Sequence, residues 1–390
     1  MSAGLVSLPA MLQAEESTNA VLSALSSTTL SGYVDTSAQW NPGTGNANLP
    51  TYTPNGVPGG TKADGFNLNV VALTLNKPAG EGQWGAGYNA TLLFGPDAVG
   101  YNPSILATPG DFSLKDAYVD LHAPVGNGVS VKLGTFTEIL GYEVFETGNN
   151  PNYTRSYGYA FEPTQLTGAL ATYQISPVVT VMGGIANTWS AGVDARGSAP
   201  FGNQAESFKT YMGCVMLTAP EQMGFLAGST LMGGVINGYD AVNQVKKTSW
   251  YAGATFNTPI PKVKVGIADD YVMLADNAIG GSAHSSGYQH AVGIYLNWQP
   301  AEKLAFNTRG EYFSQSGYLA DAAIAAGAGM PGSGFEVTQS VQYEIWKNVL
   351  SRLEFRWDHA EHGNGFGGIA AGAPDRENAF LVAANLIYKF

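Results

Sequence analysis

Along residues 28–390, apolar side chains alternate with small or polar ones in runs of ten to thirteen residues, each closed by turn residues. A period of two places successive side chains on opposite faces of a strand. Helical periodicity is almost absent, and only Ser17 to Ser26 could form a short helix before the first strand. In the first run Leu30, Gly32, Val34, Thr36, Ala38 and Trp40 share one face, and Ser31, Tyr33, Asp35, Ser37 and Gln39 the other. Near the end, Leu353, Phe355 and Trp357 alternate with Arg352, Glu354, Arg356 and Asp358. Four charges opposite three large apolar groups suit a wall between lipid and water.

The pattern predicts sixteen strands, over 28–40, 64–77, 83–95, 112–123, 128–138, 164–176, 178–189, 206–219, 223–236, 247–258, 262–274, 288–299, 303–314, 334–346, 349–359 and 378–390. Their length matches membrane strands, which need about 9–11 tilted residues, better than globular strands of about 5–6. Aromatic residues such as Trp40, Trp84, Phe94, Trp250, Phe256, Trp298, Tyr312 and Trp357 fall mostly near run ends, where interfacial girdles belong. Predicted connections alternate in length: short turns, such as Pro124 to Gly128 and Pro220 to Gln222, follow even strands. Long segments, 139–163 and 237–246 among them, follow odd ones. That asymmetry predicts an all-β, transmembrane antiparallel barrel with short periplasmic turns, long external loops and both ends in the periplasm. Residues 1–14 read as a truncated signal peptide cleaved near Ala14, residues 15–27 as a periplasmic segment and 28–390 as the barrel. The terminal Phe390 on an alternating strand resembles the signal read by the outer-membrane barrel-assembly machinery.

Composition narrows the picture further. Only 12% of the 390 residues are charged, against about a quarter in an average soluble domain. A mean hydropathy of -0.03 fits a molecule with one apolar and one wet surface. The net charge of -12 argues against nucleic acid as a partner. The single cysteine, Cys214, forms no internal disulfide and reads as a small wall residue. Asp358, His359, Glu361 and His362 crowd together, but a spacing of three does not converge on a strand end, so no metal site is expected. Gly363 to Gly368 satisfies a dinucleotide fingerprint only on paper, since it opens no helix. No cofactor is implied, and no positioned nucleophile suggests an enzyme.

Several segments together resemble the OmpL-like β-barrel porin family of bacteria: Phe66 to Pro78, Ala117-Tyr118-Val119-Asp120 leading through Pro124 to Gly128, Lys132-Leu133-Gly134-Thr135-Phe136 with Gly141 to Val144, and Asn152 to Tyr157. The resemblance implies a bacterial outer-membrane channel in contact with lipid, and supplies no catalytic residues. A passive, water-filled path for small polar solutes or ions is then the expected function, and a homotrimer the expected assembly for a porin of this size. The third long loop, 139–163, is expected to fold inward and narrow the path, as the third external loop often does in sixteen-stranded porins. Its Glu143, Glu146, Arg155 and Glu162 would face the wall residues Arg309, Arg352 and Arg356 across an eyelet. A non-conducting adhesin or anchor, or a barrel lipase, are the competing readings.

Overall fold

The computed structural model describes residues 27–51, 62–80, 83–99, 101, 112–189, 192–194, 208–240, 245–275 and 286–390. The expectations for 1–14, for most of 15–27 and for a helix over 17–26 lie outside them. Sixteen strands follow one another round a closed antiparallel barrel: β1 (Thr29–Trp40), β2 (Gly65–Lys77), β3 (Gly85–Phe94), β4 (Phe112–Ala123), β5 (Val129–Thr137), β6 (Gln165–Gln174), β7 (Val179–Ala186), β8 (Thr210–Thr218), β9 (Thr230–Asp240), β10 (Val245–Asn257), β11 (Val263–Leu274), β12 (Gly287–Ala301), β13 (Leu304–Gln315), β14 (Ser333–Trp346), β15 (Val349–Ala360) and β16 (Asn378–Lys389). Every strand pairs with its neighbour in sequence, and β16 returns to β1.

The alternation sorts by environment as a membrane wall requires. In β15, Arg352, Glu354, Arg356 and Asp358 turn inward and are buried, whereas Leu353 and Phe355 are exposed on the outside. The outer surface carries Trp40, Phe66, Trp84, Trp250, Trp298 and Trp346, all exposed. Soluble proteins rarely present apolar area on this scale, and lipid is its natural neighbour. Cys214 is buried on the inner side of β8.

Strand nine departs from the sequence pattern. The run predicted over 223–236 begins only at Thr230, because Glu221–Leu226 forms a 3-10 turn in which Gly224 takes φ 60°, followed by Gly228 at φ 77°. Apolar Met223 and Phe225 mimicked a strand start while lying exposed on that turn. At the other end the strand runs on through Gly238 to Asp240. Thr210 fills the space beside Gly238, and Asp240 meets Lys247 of β10 at 2.6 Å. The connection predicted as 237–246 therefore shrinks to 241–244, and the turn predicted at Pro220 to Gln222 widens. A helix, Gly317–Ala325, also stands in a segment read as loop. Its alanines favour helix, but they leave no amphipathic stripe to read.

The β1–β16 ladder that closes the barrel, from Tyr33 opposite Lys389 to Trp40 opposite Val382, is extended at one end by a close approach. Gly32 exchanges two backbone hydrogen bonds with Phe390, both 3.0 Å, and a Cβ on Gly32 would lie 2.7 Å from the Phe390 ring and 2.3 Å from the Ala72 carbonyl oxygen. We expect Gly32→Val to destabilise the barrel by about 1–3 kcal/mol, the usual range for overpacking. Urea unfolding of the detergent-folded protein measures this, and wild-type stability would contradict the closure argument.

Candidate functional site: a loop fastened inside the barrel

Loop three, the segment between β5 and β6, lies inside the barrel. Ser156 caps the short helix Tyr157–Phe161, its side chain accepting a 3.1 Å hydrogen bond from the Tyr159 amide. Just before that cap the loop backbone passes β13–β15 without forming a strand. Its amides and carbonyls have left any sheet there, and buried backbone groups need partners. The inward charges of the wall supply them.

Arg309 of β13 is the hub. Its guanidinium donates to Glu143 Oε1 at 2.7 Å, to the Thr154 carbonyl at 2.9 Å and to the Arg155 carbonyl at 3.3 Å, and it pairs with Glu336 of β14. Arg356 of β15 reaches the same Arg155 carbonyl at 2.5 Å and is clamped by Asp358 at 2.7 Å. Lower on β15, Arg352 donates to the carbonyls of Thr147 and Asn150, both at 2.6 Å. The acids take the amides: Glu354 accepts from Tyr153 and Thr154, and Glu311 accepts from Tyr157 and Gly158 at 2.6 and 2.8 Å. Tyr157 stacks on Phe313 at 3.7 Å and donates to Asp358 at 3.0 Å. The loop tip reaches the short-turn rim, where Lys389, the last residue of β16, donates to the Gly148 carbonyl at 3.1 Å.

The other side of the loop is held as well. Glu146 meets Lys115 of β4 at 3.0 Å, and Tyr153 donates to Ser37 of β1 at 2.9 Å. Ile139 and Leu140 pack with Leu170, Met212, Cys214, Ile236 and Ala268 in an apolar cluster against the β6–β11 wall. Glu162 closes the loop beside Asp270 of β11. Burial first, and then the Asp270 carboxylate, hold the Glu162 carboxyl well above its ordinary range.

All seven charges singled out from the sequence thus lie in or against this loop, in a different arrangement from an open eyelet. Arg155, Arg309, Arg352 and Arg356 are at most 2% exposed, and Glu143 is equally buried. Wall arginine and loop acid touch, as Arg309 and Glu143 do, and the other donors of the wall arginines are divided between loop carbonyls and side chains of the wall, among them Glu336, Asp358 and Gln342. Arg155 folds back onto its own loop, donating to the carbonyls of Tyr153 and Phe145. The backbone acceptors escaped sequence reading because every residue carries one; the paired wall acids Glu311, Glu354 and Asp358 were visible as inward charges. His359 faces Asn378 at 3.0 Å, away from the inward Asp358, and no metal-ligand cluster occurs among the described residues.

Removing Arg309 leaves Glu143 buried without its cation and Glu336 with only Arg356, at 3.7 Å, so Arg309→Met is expected to cost about 3–5 kcal/mol. Combining it with Glu143→Gln and Glu336→Gln should recover part of that loss in urea unfolding, and no recovery would show that the charges are not coupled. Glu162 binds its proton more tightly folded than unfolded. Its contribution is complete below the ordinary glutamate pKa of about 4.3 and is lost as pH rises toward the elevated folded value. The melting temperature of the Glu162→Gln variant should therefore fall less between acidic and neutral pH than that of the wild type.

Known proteins agree with this architecture. Residues 27–390 match the family model described as Putative beta-barrel porin-2, OmpL-like. No curated protein matches the chain. Among solved structures, the anion-selective porin from Comamonas acidovorans is 13% identical with a TM-score of 0.59, covering 93% of this chain and 99% of its own. The outer-membrane channel DcaP of Acinetobacter baumannii is 12% identical with a TM-score of 0.56, covering 93% and 97%. OprB of Pseudomonas putida is 10% identical with a TM-score of 0.59, covering 96% and 97%. At these identities the likeness is one of fold, whereas the family match spans the whole described barrel: the chain belongs to the OmpL-like β-barrel porins of the bacterial outer membrane.

Proposed function

We propose that this barrel is a passive diffusion channel for small polar solutes or ions, and that loop three sets its narrowest point. The fastening of loop three by Arg309, Arg352 and Arg356 carries the reading. A barrel of this size has room for an aqueous lumen, and a segment fixed within it from β1 to β16 must define what space remains. The seven charges act in this reading mainly as anchors, with Glu146 the one whose side chain is appreciably open to solvent. The short-turn rim, where β1 begins and β16 ends, is the periplasmic one in this reading.

The same reading takes Phe390, at the closing seam, as the handle for the barrel-assembly machinery, and places the aromatic outer surface in lipid. A homotrimer fits one further observation. Asp269 and His290 stand 3.3 Å apart on the outward faces of β11 and β12, where a second copy would be a better neighbour than lipid for a polar pair. Light scattering of the detergent-extracted protein reports the copy number, and a monomer would remove the trimer.

In planar bilayers the protein should conduct in discrete steps, and deleting residues 145–158 should enlarge them. Steps of unchanged size would take loop three out of the constriction. A protein that never conducts would favour an anchor or adhesin instead.

A further inference from the structure

Beneath the tip of loop three, open toward the periplasmic rim, lies a cavity of about 590 Å³. That volume falls within the usual range for small-molecule sites, about 300–1,000 Å³. Its two sides differ in chemistry. On one, Met216 of β8 and Met232 of β9 are direct cross-strand partners, and Tyr251 and Tyr142 continue the apolar surface. Tyr142 is fixed there by stacking on Tyr295 at 4.0 Å. On the other, the lining consists largely of side-chain amides from the loop tip and β12–β14. At the rim stand Lys262, which donates to the Pro300 carbonyl at 3.2 Å, and Lys264.

The charge of the cavity is opposite to that of the chain. The protein has 30 acidic residues against 18 lysines and arginines, yet no carboxylate occurs among the described residues lining this space. The nearby inward acids Glu143, Glu311 and Glu354 are occupied with Arg309 and the loop amides. A second cavity on the same rim, toward β4, is lined by Asp120 and His122 and lacks both features.

We propose that the vestibule under loop three is a binding site for organic anions with an apolar, ring-sized body. The carboxylate would pair with Lys262 and Lys264, which need give up little hydration at the rim. The ring would lie on the thioethers and tyrosines, groups that attract aromatic faces. The proposal deepens the channel reading and rests on it, since such a site matters only if solutes pass.

Binding and conduction can be measured apart. Calorimetric titration of the detergent-folded protein should show uptake of 3-phenylpropionate, with succinate and 3-phenylpropanol each binding at least ten-fold more weakly. The exposed double change Lys262→Gln, Lys264→Gln should weaken 3-phenylpropionate at least ten-fold, and Met232→Asn should weaken it while leaving charge unaltered. Equal binding of the alcohol and the acid, or unchanged affinity in the lysine double variant, would overturn the site. Potassium chloride conductance is recorded alongside: binding without conductance would support the site and overturn the channel reading.

Discussion

A buried guanidinium has no tolerable state without partners, and Arg309 is completely buried in the middle of this barrel. Its donors are shared between an acid on the adjacent strand, an acid on loop three and two carbonyls of that loop. The wall and the loop therefore satisfy one another. Withdraw the loop, and Arg309, Arg352, Glu311 and Glu354 must find water. Withdraw the wall charges, and the amides of Tyr153, Thr154, Tyr157 and Gly158 and the carbonyls of Asn150, Thr154 and Arg155 are left bare. A half-satisfied network of this kind would be worse than an apolar one, so the loop's place in the lumen is specified by polar geometry more than by hydrophobic burial.

The hydrophobic effect works elsewhere. On the outside it favours contact of Phe66, Trp84 and Leu353 with lipid, and on the inside it holds Ile139 and Leu140 against the β6–β11 wall. The inner surface is consequently two-sided: the charges that hold the loop concentrate from β13 to β15, and its apolar packing lies across β6 to β11, where the charges Asp240, Lys247 and Asp270 are few. The vestibule under the loop tip inherits that division, with thioethers and tyrosines on one side and amides on the other.

Much of this was legible in the sequence because a membrane wall imposes a strict period of two. Fifteen of the sixteen strands stand within a few residues of their expected bounds, β4 coinciding at 112–123. Strand nine failed where apolar residues continued into a turn that two left-handed glycines enforce. The charges of the site were equally visible, since inward Arg and Glu in a barrel are conspicuous. Their partners were not, because pairing between residue 143 and residue 309, or between 155 and 356, is a fact of three dimensions. A mixed-charge loop opposite an arginine wall suggests a field across water; the distances instead show contact.

The same fastening bears on how the molecule is made. Tyr157 bonds to a residue 201 positions later in the chain, and Glu354 to one 201 positions earlier. Contacts of such separation are slow to form, because the entropy of closing the intervening chain is lost before anything is gained. Loop three precedes β13 to β16, which hold one side of it, and β16 can pair with β1 only once residues 378–389 are present. The loop must therefore wait in the unsealed sheet and be enclosed as the last strands arrive, which makes closure of the cylinder and capture of its contents a single late event.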